Sequence, residues 1–189
     1  MDIKSSGTVC FTGHRPKSIF QINPYAEARR KDYQAIVDRI ADFVCSMYNK
    51  GFIKYISGGA QGFDQLAFWA VHKAKRTYPD IINDIYIPFK GQELRWAKTG
   101  LFSRTEYQQM LSLADNVFIC AQNIDTDNFK AVTRALMYRN KCMVNDSGYV
   151  LGQFEDESWQ NPGTKSGTAD CLRYAKEKGR TIKLFGICA

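Results

Sequence analysis

Two kinds of hydrophobic run alternate along this chain. The first kind is short and nearly continuous, at residues 8–11, 52–56, 84–88, 116–120, 149–154 and 181–185. Such runs, rich in Val, Ile, Phe and Tyr and bounded by Gly, Pro or polar residues, predict strands buried on both faces. The second kind is longer and follows a three-and-four spacing. Tyr33, Ile36, Val37, Ile40, Phe43, Val44, Met47 and Tyr48 make one such stripe, with Gly51 as its stop. Leu66, Ala67, Ala70, Val71 and Ala74 make another, over residues 65–75, closed by Pro79. Ser103-Arg104-Thr105-Glu106 has the form of a capping box and opens a predicted helix ending near Ala114. Further helices are expected over 128–144 and 167–178, the last stopped by Gly179.

Strand and helix thus alternate throughout. This predicts an α/β, Rossmann-like fold with a mainly parallel sheet and helices on both faces. Neither an internal repeat nor a linker interrupts the 189 residues, so a single domain over 1–189 is expected. Hydrophobic residues make up 44% of the chain, enough for a sizeable core. No apolar run reaches membrane-spanning length, and the first six residues lack the apolar core of a signal peptide. The expectation is a cytoplasmic protein with no membrane partner; homo-oligomerisation is left open.

Charge and cysteine content change this picture little. The formal net charge of +7 suits nucleic acid or a small anionic ligand without choosing between them. The basic residues are scattered, with Arg29-Arg30-Lys31 the densest group. Cys10, Cys45, Cys120, Cys142, Cys171 and Cys188 form no C-x-x-C pair and read as buried reduced thiols. His14 and His72 are too dispersed for a metal site. No metal or resident cofactor is expected, beyond a bound nucleotide or phosphate.

The candidate chemistry lies in three polar loops that follow strands. In open parallel sheets such loops share one edge, where ligands bind. The first carries Gly13, His14 and Arg15, ended by Pro16. The second runs Ser57-Gly58-Gly59-Ala60-Gln61-Gly62-Phe63-Asp64, and the third carries Gly163, Thr164, Ser166, Gly167 and Thr168. Glycines let the backbone come close to a ligand, and a helix start offers unpaired N–H groups and a positive dipole end. Arg15 supplies a planar fork of donors for phosphate or carboxylate. Asp64 either accepts hydrogen bonds from ribose hydroxyls or caps a helix. His14 either contacts the ligand or holds its loop, and Trp96 and Trp159 either stack on a base or pack. A side chain at Gly59 is expected to block the ligand with less effect on folding. Both the Walker loop and the G-x-G-x-x-G fingerprint are absent.

Residues 12–16, the 57–64 loop, Ile87-Pro88-Phe89 with Gln92 and Trp96, and Gly167-Thr168 with Tyr174-Ala175-Lys176 together resemble the YpsA-like family. That family sits in the SLOG superfamily of Rossmann-like proteins, with the DNA-processing protein DprA and the LOG phosphoribohydrolases. The resemblance spans nearly the whole chain. It implies binding or sensing of a nucleotide-like ligand, such as an ADP-ribose or NAD derivative, at the glycine loops. The relatives imply two alternatives: LOG-type N-glycosidic hydrolysis, and DprA-like single-stranded DNA binding. In the LOG motif P-G-G-x-G-T-x-x-E the glutamate is needed for hydrolysis. Counted from Gly167-Thr168, its position here holds Cys171, preceded by Asp170. Asp64 and Asp170 are therefore the only catalytic candidates for that reading.

Overall fold

Each predicted strand forms, and every neighbouring pair runs parallel. The computed structural model describes residues 7–187. Strands β1 (Thr8–Thr12), β2 (Lys54–Ser57), β3 (Ile82–Ile87), β4 (Asn116–Ile119), β5 (Tyr149–Gly152) and β6 (Thr181–Leu184) form one sheet in the order β4-β3-β2-β1-β5-β6. The helices are α1 (Pro16–Phe20), α2 (Arg30–Tyr48), α3 (Phe63–Ala74), α4 (Arg104–Leu113), α5 (Phe129–Asn145) and α6 (Gly167–Glu177).

The alternation of side chains along a strand decides which core each residue joins. Val9 and Phe11 of β1, Tyr55 of β2 and Leu151 of β5 pack with α2 and α3. Their neighbours Cys10, Ile56 and Val150 point the other way, into the core formed with α5 and α6. The central strands are thus buried on both faces, which is why they read as continuous apolar runs. A smaller cluster of Phe68, Ile85, Ile87, Tyr107 and Met110 seats α4. Edge strand β4 differs: Val117 and Phe118 are exposed, because only β3 pairs with it.

The helix starts follow the expected chemistry with local shifts. Ser103 Oγ accepts from the Glu106 N–H at 3.3 Å, while the Glu106 carboxylate takes the N–H of Phe102 at 2.7 Å. The capping box is therefore closed one residue upstream of its usual partner. Asn128 and Ser166 cap α5 and α6 through their side chains. Helix α3 starts at Phe63, two residues before the expected Gln65, which puts Asp64 in its first turn. Helix α1, started by Pro16, was not anticipated; five residues are too few to show a period. Among the described residues no helix is long and apolar enough to cross a membrane. Cys10, Cys45, Cys120, Cys142 and Cys171 are free thiols, with only Cys10 and Cys171 buried; Cys188 lies outside the described residues.

Strand order reverses direction between β1 and β5. The chain leaves β1 toward β2, β3 and β4 on one side and returns to place β5 and β6 on the other. At such a switch point the loops after the two central strands diverge and leave a crevice at their carboxyl ends.

Candidate functional site

The crevice holds a cavity of about 270 Å³. All three predicted loops contribute to its wall: Gly13, His14 and Arg15 from the first, Ala60 and Asp64 from the second, Ser166, Gly167 and Thr168 from the third. Helix α5, absent from the sequence-based site, closes the cavity with Leu136, Met137, Arg139 and Asn140.

Loop one is clamped on both sides. The Gln153 N–H donates to the Thr12 carbonyl at 2.8 Å, and the His14 N–H donates to Gln153 Oε1 at 3.0 Å. On the other side the Phe63 N–H donates to the His14 carbonyl at 3.1 Å. The His14 ring leans on Phe154, centroids 4.9 Å apart, and burial lowers its pKa against the pull of Glu155, so it is neutral at pH 7. Its side chain both lines the cavity and helps hold the loop. Arg15 is an exposed residue, yet enough protein surrounds it for desolvation to lower its pKa; Asp64 opposes this and Arg139 adds to it. No hydrogen bond or ion pair holds the Arg15 guanidinium among the described residues.

Arg139 is the largest departure from the sequence reading. It is 4% exposed, and its Nη1 donates to Asp64 Oδ2 at 2.9 Å. Its Nε is buried with no hydrogen-bond partner. The same Asp64 oxygen also accepts from the Ala60 N–H at 3.3 Å. Asp64 therefore does not cap α3 from outside; its Oδ2 is one half of a buried ion pair, and the residue also lines the cavity. A signal for Arg139 was present in the sequence. Ala135, Arg139 and Met143 share one stripe of α5 at spacings of four, so a guanidinium sits on a buried face.

Of the predicted loop residues, Ser57, Gly58, Gly59, Gly62, Gly163 and Thr164 do not line the cavity. A β-carbon on Gly58 would stand 1.2 Å from Arg139 Nη1, so this glycine makes room for the guanidinium. Gly62, with φ +102°, and Gly13 let loop one and the start of α3 touch: their β-carbons would lie 2.3 Å from the His14 carbonyl and 2.5 Å from Phe63 Cβ. Gly59 corrects the steric expectation. Its β-carbon would face Ile85 and Tyr107 in the core at 3.1 Å, not the cavity, and its φ is +65°. Gly59→Val should therefore lower the melting temperature whether or not ligand is bound; a variant with unchanged melting would contradict this packing. Ser57 is buried, its hydroxyl without a partner. Gly163 and Thr164 are taken up by their own turn, through Asn161 Oδ1 and the Ser158 carbonyl. Asp170 pairs with Arg173 along α6. Trp96 packs against Tyr107, and Trp159 is buried against α6. Cys171 is fully buried, and desolvation pushes its thiol up to about 11.

Comparison with known proteins agrees with this architecture. The YpsA family model, described as the YspA SLOG family, matches residues 9–187, from β1 to just beyond β6. The chain belongs to this SLOG family. It is also similar to the SPbeta prophage-derived protein YoqJ of Bacillus subtilis (strain 168), 32% identical over 133 residues, which cover 66% of this chain and 70% of that protein. Membership in the SLOG family carries a nucleotide-related function in general terms. Within this family member, the segment after β2 contributes Ala60 and Asp64 to the cavity wall, beside loop one, α5 and the start of α6.

Proposed function

We propose that the cavity binds the phosphate-bearing end of a nucleotide-like ligand, of the ADP-ribose or NAD-derivative class, and that the protein acts as a binding or sensing module. One observation carries this reading. The Arg15 guanidinium, without a hydrogen-bond or ion-pair partner among the described residues, shares a small cavity with the first turn of α6, where Gly167 and Thr168 add backbone N–H groups and a hydroxyl. A cation and a helix start around one space favour an anion. The volume also limits the ligand. At about 270 Å³ the cavity falls below the roughly 300–1,000 Å³ of pockets that enclose a drug-sized molecule. That volume suits a phosphate with its sugar, and the rest of a dinucleotide would extend beyond the cavity. The only carboxylate on the wall, Asp64, is engaged by Arg139, so binding is favoured over acid-assisted hydrolysis.

Thermal-shift measurement with ADP-ribose, NAD and nucleoside monophosphates tests this. A ligand at a hundred times its Kd stabilises the native state by about 2.7 kcal/mol. Arg15→Ala should weaken binding by about 1.5–3 kcal/mol, the value of a charge-assisted hydrogen bond, with little change in the unliganded melting temperature. Gly167→Val supplies the steric test that Gly59 cannot. Gly167 lines the cavity, and a β-carbon there meets nothing within 4 Å. Failure of every nucleotide to shift the melting temperature would defeat the reading.

A further inference from the structure

A cavity larger than the crevice lies away from the sheet edge. About 590 Å³ lies between α2, α3 and α4, on the outer helical layer. Its apolar lining comes from Leu113, which is partly exposed, and from the nearly covered Tyr33 and Val37. Beside it stand Trp69, Arg76 and Gln109. The indole N–H of Trp69, the guanidinium of Arg76 and the side-chain amide of Gln109 make no hydrogen bond or ion pair among the described residues. The other charges of the wall are engaged. Arg30 and the Glu106 carboxylate hold each other at 2.8 Å, and Lys73 is paired with Asp38 at 2.8 Å. What remains open is therefore a set of donors beside the partly exposed Trp69 indole and Leu113.

We infer that this cavity is a second ligand site and that it takes a planar aromatic carboxylate. An Arg fork and an indole N–H match a carboxylate's acceptors, and the fork can engage both oxygens at once. The partly exposed Trp69 indole and Leu113 beside them suit a flat hydrocarbon body, which can stack on the indole. The site is separate from the crevice. Asp64, at the start of α3, lines the first cavity, whereas Trp69 and Arg76 belong to its far half and the turn beyond it. A helix of 12 residues spans roughly 18 Å at 1.5 Å per residue. A ligand here touches three helices at once and does not compete with one at the sheet edge.

The probe is 1-naphthoate, titrated into the full-length protein labelled with nitrogen-15. Three tryptophans give three indole N–H signals, and Trp69→Phe identifies the one that matters. The Trp69 signal should move saturably while those of Trp96 and Trp159 stay. Arg76→Gln should weaken the titration at least tenfold; Arg76 is exposed, so the fold survives the change. The uncharged analogue 1-naphthalenemethanol should bind at least tenfold more weakly than the acid, and Arg15→Ala should leave the naphthoate titration as it was. Three results would overturn the inference: no movement of the Trp69 signal at millimolar naphthoate, equal binding of acid and alcohol, or loss of the effect in Arg15→Ala. The last would place the probe in the crevice, and nucleotide binding there is read independently by melting temperature.

Discussion

Replacing Arg139 with Met should destabilise the protein by about 3–5 kcal/mol, because it leaves a buried carboxylate without its counter-ion. Met is close to Arg in length and fills much of the same space, so the loss reads charge rather than packing. After the change, Asp64 keeps only the Ala60 N–H, at 3.3 Å. Urea unfolding of the two single variants and the pair separates the terms. Asp64→Leu alone leaves the guanidinium buried and unpaired, and should also be costly. The double variant Arg139→Met with Asp64→Leu should recover most of the stability, since an apolar pair of similar volume often replaces a buried ion pair at little cost. A loss below about 1 kcal/mol for Arg139→Met, the range of exposed pairs, would mean that water reaches the pair in solution.

Gly62→Ala should be comparably damaging, for a different reason. The backbone there has φ +102° and ψ −132°, a region that residues with a β-carbon scarcely enter. A β-carbon would also lie 2.3 Å from the His14 carbonyl and 3.0 Å from Arg15 Cα. Both obstacles are backbone, and loop one is pinned by Gln153, so neither moves cheaply. Strain of about 1–3 kcal/mol and overpacking of about 1–3 kcal/mol place the expected loss on the order of 4 kcal/mol. Gly51→Ala is the control. Its φ is +87°, but nothing lies within 4 Å of the added carbon, so only the conformational term of about 1–2 kcal/mol remains. The difference between the two variants measures the contact of loop one with α3. Equal losses would mean that the contact is absent.

These two positions mark how far the sequence reaches. The strands were legible because burial on both faces writes an unbroken apolar run, as in Val9-Cys10-Phe11. The helices were legible because one buried stripe repeats at 3.6 residues, as in Tyr33 to Tyr48. Short elements escaped: α1 is one turn after a proline, and the exact start of α3 depends on a glycine conformation that no local rule announces. Similarly, the loops that border the crevice were legible as glycine-rich strand-to-helix turns. The division of labour among their residues was not. Gly13, Gly58 and Gly62 look alike as letters. In the fold each glycine leaves room for something else: a phenylalanine, an arginine and a carbonyl brought from distant parts of the chain.

The sequence by itself determined the alternating strand–helix order, and with it a parallel sheet with both faces covered, because periodicity and turn chemistry act within a few residues. It also placed Arg15 and the start of α6 at the same edge, since every loop after a parallel strand emerges there. Only the tertiary structure decided that Asp64 meets Arg139, a contact across 75 positions of sequence. Only the tertiary structure turned Gly59 toward the core and opened a donor-lined cavity among α2, α3 and α4. Such pairings depend on strand order and helix packing, which bring together side chains whose local sequences carry no record of one another.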